Sequence, residues 1–309
     1  MDAMSEAAPL VHVEHFGMDF GKKNVIRDLS FDIYAGETFG LLGSNGSGKT
    51  TTIRALLGIY LPTKGTLQIN GHAFRPENGI KLGYLPEERG LYKKESVIDV
   101  MVYFGKLKGL SRGSAYKWSI DYLDQVGLAD KEKISVDKLS SGEQQKIQLG
   151  VTIMDNPELL ILDEPTKGFD PVNRRLLMDI IDAQKKIGST VLMVTHQMEE
   201  VERLCDRIIL LRDGVSRAYG TVEEVQDEFG NIVIHIEHRG KIPPSVKYKV
   251  IEDGDSSAKL EVTTGADSAG ILCDLMDAGV SISRFTPARK SLDDIFIEIY
   301  GKEDLKDAG

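Results

Sequence analysis

The chain has 309 residues, 41% hydrophobic and 28% charged, with a formal net charge of -10. That is enough apolar material for roughly two domains of ~150 residues, and the acidic balance argues against broad nucleic-acid binding, which needs clustered Lys and Arg. The longest apolar runs, such as Leu159-Leu-Ile-Leu162 and Ile208-Ile-Leu-Leu211, fall well short of the ~20 residues that cross a bilayer, and residues 1–9, MDAMSEAAP, predict no secretory signal.

Short strands are predicted at Val11-His-Val13, Ser30-Phe-Asp-Ile33 and Thr38 to Leu42. A glycine-rich loop and a helix from Thr51 follow. Leu67-Gln-Ile69 runs into Asn70-Gly71, a turn pair that accepts positive φ. Residues about 90–155 read as mainly helical. Leu159 to Leu162 and Thr190 to Thr195 are continuous apolar strands of the buried parallel kind, alternating with helices from Arg174 to Lys186 and from Met198 to Cys205. This is α/β order with a helical insertion. After about Thr221 the texture changes. Ile232, Ile234 and Ile236 alternate, strands are predicted at Lys247 to Ile251 and Lys259 to Val262, and helices at Ala266 to Ala278 and Ser291 to Tyr300. Ser291 is a candidate N-cap with Asp294 at N3. Residues 221–309 are expected to form a small α+β domain. Cys205 and Cys273 read as reduced core thiols, and His235 and His238 as residues on opposite strand faces.

Three stretches carry chemistry. Gly43-Ser-Asn-Gly-Ser-Gly-Lys-Thr50 fits G-x-x-x-x-G-K-[ST], a phosphate-binding loop. The backbone N–H groups of Gly43, Ser44, Asn45, Gly46, Ser47 and Gly48 would wrap phosphates, helped by the dipole of the helix entered at Thr50 and Thr51. Lys49 would neutralise phosphate charge, and Thr50 would ligate Mg²⁺. Leu159-Leu-Ile-Leu-Asp-Glu-Pro165 ends a buried strand on two acids. Asp163 would hold Mg²⁺ through water, and Glu164 would act as general base on the attacking water. Leu139-Ser-Ser-Gly-Glu143 opens a helix from Gln144 to Met154, a second anion-friendly helix start.

The order of these pieces resembles the ATP-binding cassette (ABC) ATPases. Ser140, Ser141, Gly142 and Glu143 resemble the signature motif, Pro165-Thr-Lys-Gly-Phe-Asp170 the D-loop, Val194-Thr-His196 the switch histidine, Gly83-Tyr-Leu-Pro-Glu87 the Q-loop, and Met18-Asp-Phe20-Gly21 the adenine-stacking loop. The resemblance implies a P-loop NTPase (RecA-like) core over residues 10–220, with a helical signature subdomain (about 90–155) and an antiparallel β edge. It implies ATP and Mg²⁺ as cofactors and head-to-tail pairing with a second copy or a paralogue. The signature would then act in trans, His196 would contact the γ-phosphate, and Phe20, with Phe16 as rival, would stack on adenine. Asp170 is the D-loop acid.

Three departures stand out. Glu87 replaces the Q-loop glutamine and could still ligate Mg²⁺ or water, but its negative charge near the phosphates should cost some affinity unless Arg89 or Lys93 compensates. The signature reads SSGE rather than SGGQ. The D-loop reads KGFD rather than SGLD, which would place Lys167 and Phe169 at the subunit seam. GYLPEERGLY and the tail SLDDIFIE resemble the prokaryotic export branch, including subunits assigned to sodium or drug extrusion. That implies an ATP-hydrolysing transporter subunit, peripheral on the cytoplasmic membrane face and working with a separate multi-span membrane subunit. The alternative is a soluble ABC ATPase acting on the ribosome or nucleic acid.

Overall fold

The structure, a computed structural model, describes residues 8–75, 79–88, 90–230, 232–263 and 265–301. The chain divides into two compact units, the second beginning at Gly220.

The first unit is built on a nine-stranded sheet. Its strands are β1 (Val11–Phe20), β2 (Lys23–Ile33), β3 (Thr38–Gly43), β4 (Lys64–Ile69), β5 (Leu82–Leu85), β6 (Leu159–Asp163), β7 (Thr190–Val194), β8 (Arg207–Arg212) and β9 (Val215–Thr221). They lie in the order β4-β1-β2-β9-β8-β3-β7-β6-β5. The run from β8 to β5 is parallel, and β4-β1-β2 is an antiparallel edge. This is a P-loop NTPase core. Strands β1 and β2 are longer than their sequence segments suggested, because β1 is carried past irregular pairings between Val13 and Asp19.

The apolar runs of β6 and β7 serve both faces of the sheet. Leu160, Leu162, Val191 and Met193 pack into one core cluster, while Leu159, Ile161, Leu192 and Val194 pack into another. Successive side chains point to opposite faces. A strand covered on both sides must therefore be apolar throughout, and each such fully buried side chain contributes roughly 1.5–3 kcal/mol. Helices α1 (Lys49–Leu56), α2 (Val97–Leu107), α3 (Arg112–Gln125), α4 (Ser141–Ile153), α5 (Pro171–Lys186) and α6 (Met198–Leu204) complete the unit. The helical insertion is α2 to α4, whose Val100, Met101, Leu123 and Ile147 join the first cluster.

The second unit begins with α7 (Val222–Glu228). Its antiparallel sheet contains β10 (Val233–Arg239), β11 (Tyr248–Asp253), β12 (Ser257–Val262) and β13 (Ser281–Ala288) in the order β11-β12-β10-β13. Helices α8 (Ser268–Asp277) and α9 (Leu292–Tyr300) accompany it. Ser291 caps α9 by accepting from the Asp294 N–H. His235 is exposed and His238 buried, so they do alternate. Cys273 is not a core thiol: it is exposed. The buried residues of α8 are Ile271 and Leu275, four apart on one face, and a residue midway between them lies on the other side. Cys205 is half-buried against the core, and burial pushes its thiol upward.

Candidate active site

Sheet register gathers the chemistry at one edge. Leu41 of β3 pairs with Val194 of β7, Val194 pairs with Asp163 of β6, and Leu162 pairs with Leu85 of β5. Four parallel strands thus end level. Each chain leaves the sheet within two residues of a predicted site residue: the loop after β3, Glu87 after β5, Glu164 after β6 and His196 after β7. Ligands of open α/β sheets bind outside the carboxyl ends of such strands. A cleft of about 400 Å³ lies there. Phe20, Asn45, Gly46, Gly48, Lys49, Thr50, Thr51, Glu87, Asp163, Glu164 and His196 line it, and so do Lys23, Val25 and Lys167.

The loop needs its glycines. A Cβ on Gly43 would meet the Ser47 Oγ at 2.4 Å and the Leu211 carbonyl at 2.6 Å. Gly48 precedes α1 with φ +111°, and its Cβ would meet Ile26 Cδ1 at 2.1 Å. Ser47 is buried with its Oγ unpartnered, and Ser44 sits at the loop's start. Lys49 Nζ donates to the carbonyls of Gly43 (2.7 Å) and Ser44 (3.0 Å). Burial lowers the Lys49 pKa, while Glu164, Asp163 and Glu87 pull it back up. Phe20 is 45% exposed, and its ring meets Tyr60 edge-on at 5.3 Å. Phe16 is wholly buried, which leaves Phe20 as the accessible ring.

The two acids differ in setting. Asp163 ends β6, and burial, then Glu164 and Glu87, push its pKa up to about 6. Glu164 has φ +51°, a left-handed conformation that costs a non-glycine residue on the order of 1 kcal/mol. Its N–H donates to the Val194 carbonyl at 2.8 Å. The turn aims its side chain at His196, whose Nδ1 lies 2.9 Å from Glu164 Oε1. Gln197 Nε2 lies 3.1 Å from His196 Nε2. A neutral imidazole protonated on Nδ1 satisfies both contacts, donating to the carboxylate and accepting from the amide. That hydrogen bond to Glu164 is the main cause raising the His196 pKa.

Glu200, absent from the sequence reading, braces this strand end. It is wholly buried. Thr166 Oγ1 donates to its Oε1, and Thr195 Oγ1 donates to its Oε2 at 3.2 Å. Arg174 Nε lies 3.7 Å away. The ends of β6 and β7 are thereby tied through one carboxylate. Glu200→Leu is expected to destabilise the chain by about 2–4 kcal/mol, since it strands two hydroxyls and a guanidinium. Urea unfolding measures this, and a change under about 0.5 kcal/mol, the surface-mutation range, would show the network to be idle.

The signature residues do not line the cleft. Ser140 caps α4 in a reciprocal box with Glu143: Ser140 N–H donates to Glu143 Oε2 at 2.7 Å, and Glu143 N–H donates to Ser140 Oγ at 3.3 Å. The Ser140 backbone N–H holds Glu143 below the usual carboxylate range. Ser141 begins α4 and is exposed. Gly142 leaves room for Phe169, whose Cε1 lies 3.3 Å from where a Cβ would stand. Phe169 is therefore packed against the core within the chain, 8% exposed. Asp170 caps α5, accepting from the N–H groups of Val172 and Asn173 at 3.0 Å each. Gln145, also missed, donates to the carbonyls of Glu164 (3.3 Å) and Pro165 (2.9 Å) and ties α4 to the acidic turn. Arg89 lies outside the described residues. Among the described residues the cation on Glu87 is Lys167, at 2.8 Å, and not Lys93.

Fold and cleft together define a P-loop nucleoside triphosphatase. Residues 26–167 match the "ABC transporter" family, and residues 220–300 match "ATP-binding protein DrrA1-3-like, C-terminal domain". The chain is 38% identical to the uncharacterised ABC transporter ATP-binding protein YhaQ of Bacillus subtilis, over 94% of this chain and 99% of that one. It is 31% identical to the Nod factor export ATP-binding protein I of Paraburkholderia xenovorans, over 97% of this chain and 99% of that one. A solved structure described as the ATP binding subunit of an ABC transporter superposes with a TM-score of 0.66 at 29% identity, covering 71% of this chain and 93% of that one. The chain belongs to the ABC transporter ATP-binding proteins: it is an ATP-binding, ATP-hydrolysing transporter subunit.

Proposed function

We propose that this subunit drives an exporter, and that the cleft is its hydrolytic site. The observation that best supports the site is the convergence of Lys49, Asp163, Glu164 and His196 on one cleft, with the His196 imidazole 2.9 Å from the Glu164 carboxylate. In this reading the Gly43–Thr51 loop and Lys49 bind the phosphates, and Phe20 stacks on adenine. Glu164 takes the proton of the attacking water, and His196 orients that carboxylate; to contact the γ-phosphate as well, its Nε2 would carry a proton and donate instead of accepting from Gln197. Thr50, Asp163 and Glu87 supply one hydroxyl and two carboxylates. Such a sparse oxygen set suits Mg²⁺, which keeps waters and nucleotide phosphates as its other ligands. Bound there, the ion would offset charge on the phosphate oxygens. No group of three or more His, Cys, Asp and Glu forms a metal cage among the described residues.

Ser140 to Glu143 lie away from the chain's own cleft, which supports their acting on the nucleotide of a second copy or a paralogue, with Asp170 near the seam. No described helix is long and apolar enough to cross a membrane, so a separate multi-span subunit would carry the substrate. We place the pair on the cytoplasmic membrane face. The name of the Nod factor export relative supports the outward direction. Residues 10–220 would form the motor and 221–309 an accessory domain.

A cysteine pair tests the head-to-tail arrangement. Asn45→Cys and Ser141→Cys in a Cys273→Ser background are expected to form a disulfide between chains with ATP and not with ADP. Equal cross-linking with both nucleotides, or none, would refute the arrangement.

A further inference from the structure

The cleft carries a cation that its proposed mechanism does not use. Lys167 lines it from the turn after β6, on the same cleft as Lys49, Thr50, Asp163 and Glu164. Its Nζ donates to Glu87 Oε1 at 2.8 Å, across 80 positions of sequence. Both side chains stay open to solvent, 58% and 45% exposed. An exposed pair of this kind adds little to folding, so stability alone gives it no purpose.

Its setting supplies one. Among the described residues, three cations (Lys23, Lys49, Lys167) and three carboxylates (Glu87, Asp163, Glu164) line the cleft. The balance is neutral, yet the ligand is a polyanion. Asp163 and Glu164 are nearly buried, where charges are poorly screened. Glu87 adds a third negative charge beside them. Without Lys167 the cleft would carry net negative charge toward a triphosphate.

We propose that Lys167 and Glu87 act as a matched pair at the nucleotide, Lys167 supplying the positive charge that lets a cleft with three carboxylates bind ATP. The inference rests on the assignment of this cleft as the nucleotide site. Lys167 is a positioning and specificity residue, with a task distinct from that of Lys49: it cancels Glu87 and favours the more highly charged nucleotide.

Calorimetric titration of the full chain with ATP and with ADP, in Mg²⁺-free buffer at low salt, tests this without turnover. Lys167→Gln is expected to weaken ATP binding about tenfold and ADP binding about threefold, the size expected for one charge in a partly screened cleft. Adding Glu87→Gln restores both to within about twofold of the unaltered chain, because the pair's net charge is again zero. Salt should shrink the single-variant defect. Unchanged ATP affinity in Lys167→Gln would overturn the proposal. So would an equal loss for both nucleotides that Glu87→Gln leaves in place, because it would mean that Lys167 only braces the turn. If the unaltered chain bound neither nucleotide, the site assignment itself would fall, and the pair with it.

Discussion

Glu164→Gln keeps ATP binding, lowers turnover about 10²–10⁴-fold and accumulates a nucleotide-bound dimer. The expectation follows from shape and charge. Glutamine fills the same space and can still accept a hydrogen bond from the His196 Nδ1–H, now 2.9 Å from the carboxylate. It cannot take a proton from water, and a positioned general base is worth about 10²–10⁴ in rate. Residue 164 must also keep φ at +51°, which glutamine and glutamate tolerate equally poorly. The substitution therefore isolates proton transfer from backbone geometry. Single-turnover hydrolysis and light scattering with ATP measure the two effects. Undiminished turnover would remove Glu164 from the proposed chemistry.

Lys49→Ala loses nucleotide binding by about 100-fold or more. Two costs combine. The ammonium is the cation of the phosphate loop, and charge-assisted hydrogen bonds to phosphate are about twice as strong as neutral ones. Its removal also leaves Glu87, Asp163 and Glu164 opposed, among the described residues lining the cleft, by Lys23 and Lys167 alone. The carbonyls of Gly43 and Ser44, which now accept from Nζ, would turn to water. Folding should change little, because burial already disfavours this charge. Equilibrium binding of a fluorescent ATP analogue, with circular dichroism as the check on fold, separates the outcomes. Retained affinity in a folded variant would mean that the loop binds through its backbone alone.

The motor unit was legible in the sequence where physics forces a local pattern. A strand buried on both faces must be apolar throughout, so β6 and β7 stood out. A loop with Ile26 and Leu211 pressed against its backbone must carry glycine at positions 43 and 48, so the phosphate loop stood out too. The small tail sheet was only partly legible. Its strand β13 shows no buried position along its length and contains Pro287, so neither alternation nor composition marked it. Cys273 was misplaced because a single apolar residue does not show which face of a helix it occupies.

Long-range polar pairing was the least legible layer. Glu87 was seen as a departure that needed a cation, yet its partner lies 80 residues away, beyond any local spacing rule. Glu200 looks like one acid in a charged helix until the fold buries it among Thr166, Thr195 and Arg174. Phe169 was expected at the subunit seam from its place in the D-loop, and its packing inside the chain has no local sequence signal. The turn instead folds it under Gly142.

The most direct test of the account is recovery of tagged Glu164→Gln chain from mildly solubilised native membranes, followed by mass spectrometry of what comes with it. The account predicts a multi-span membrane protein in near-equal amount, retained with ATP. Recovery of ribosomal or DNA-bound proteins, with no membrane subunit, would contradict it.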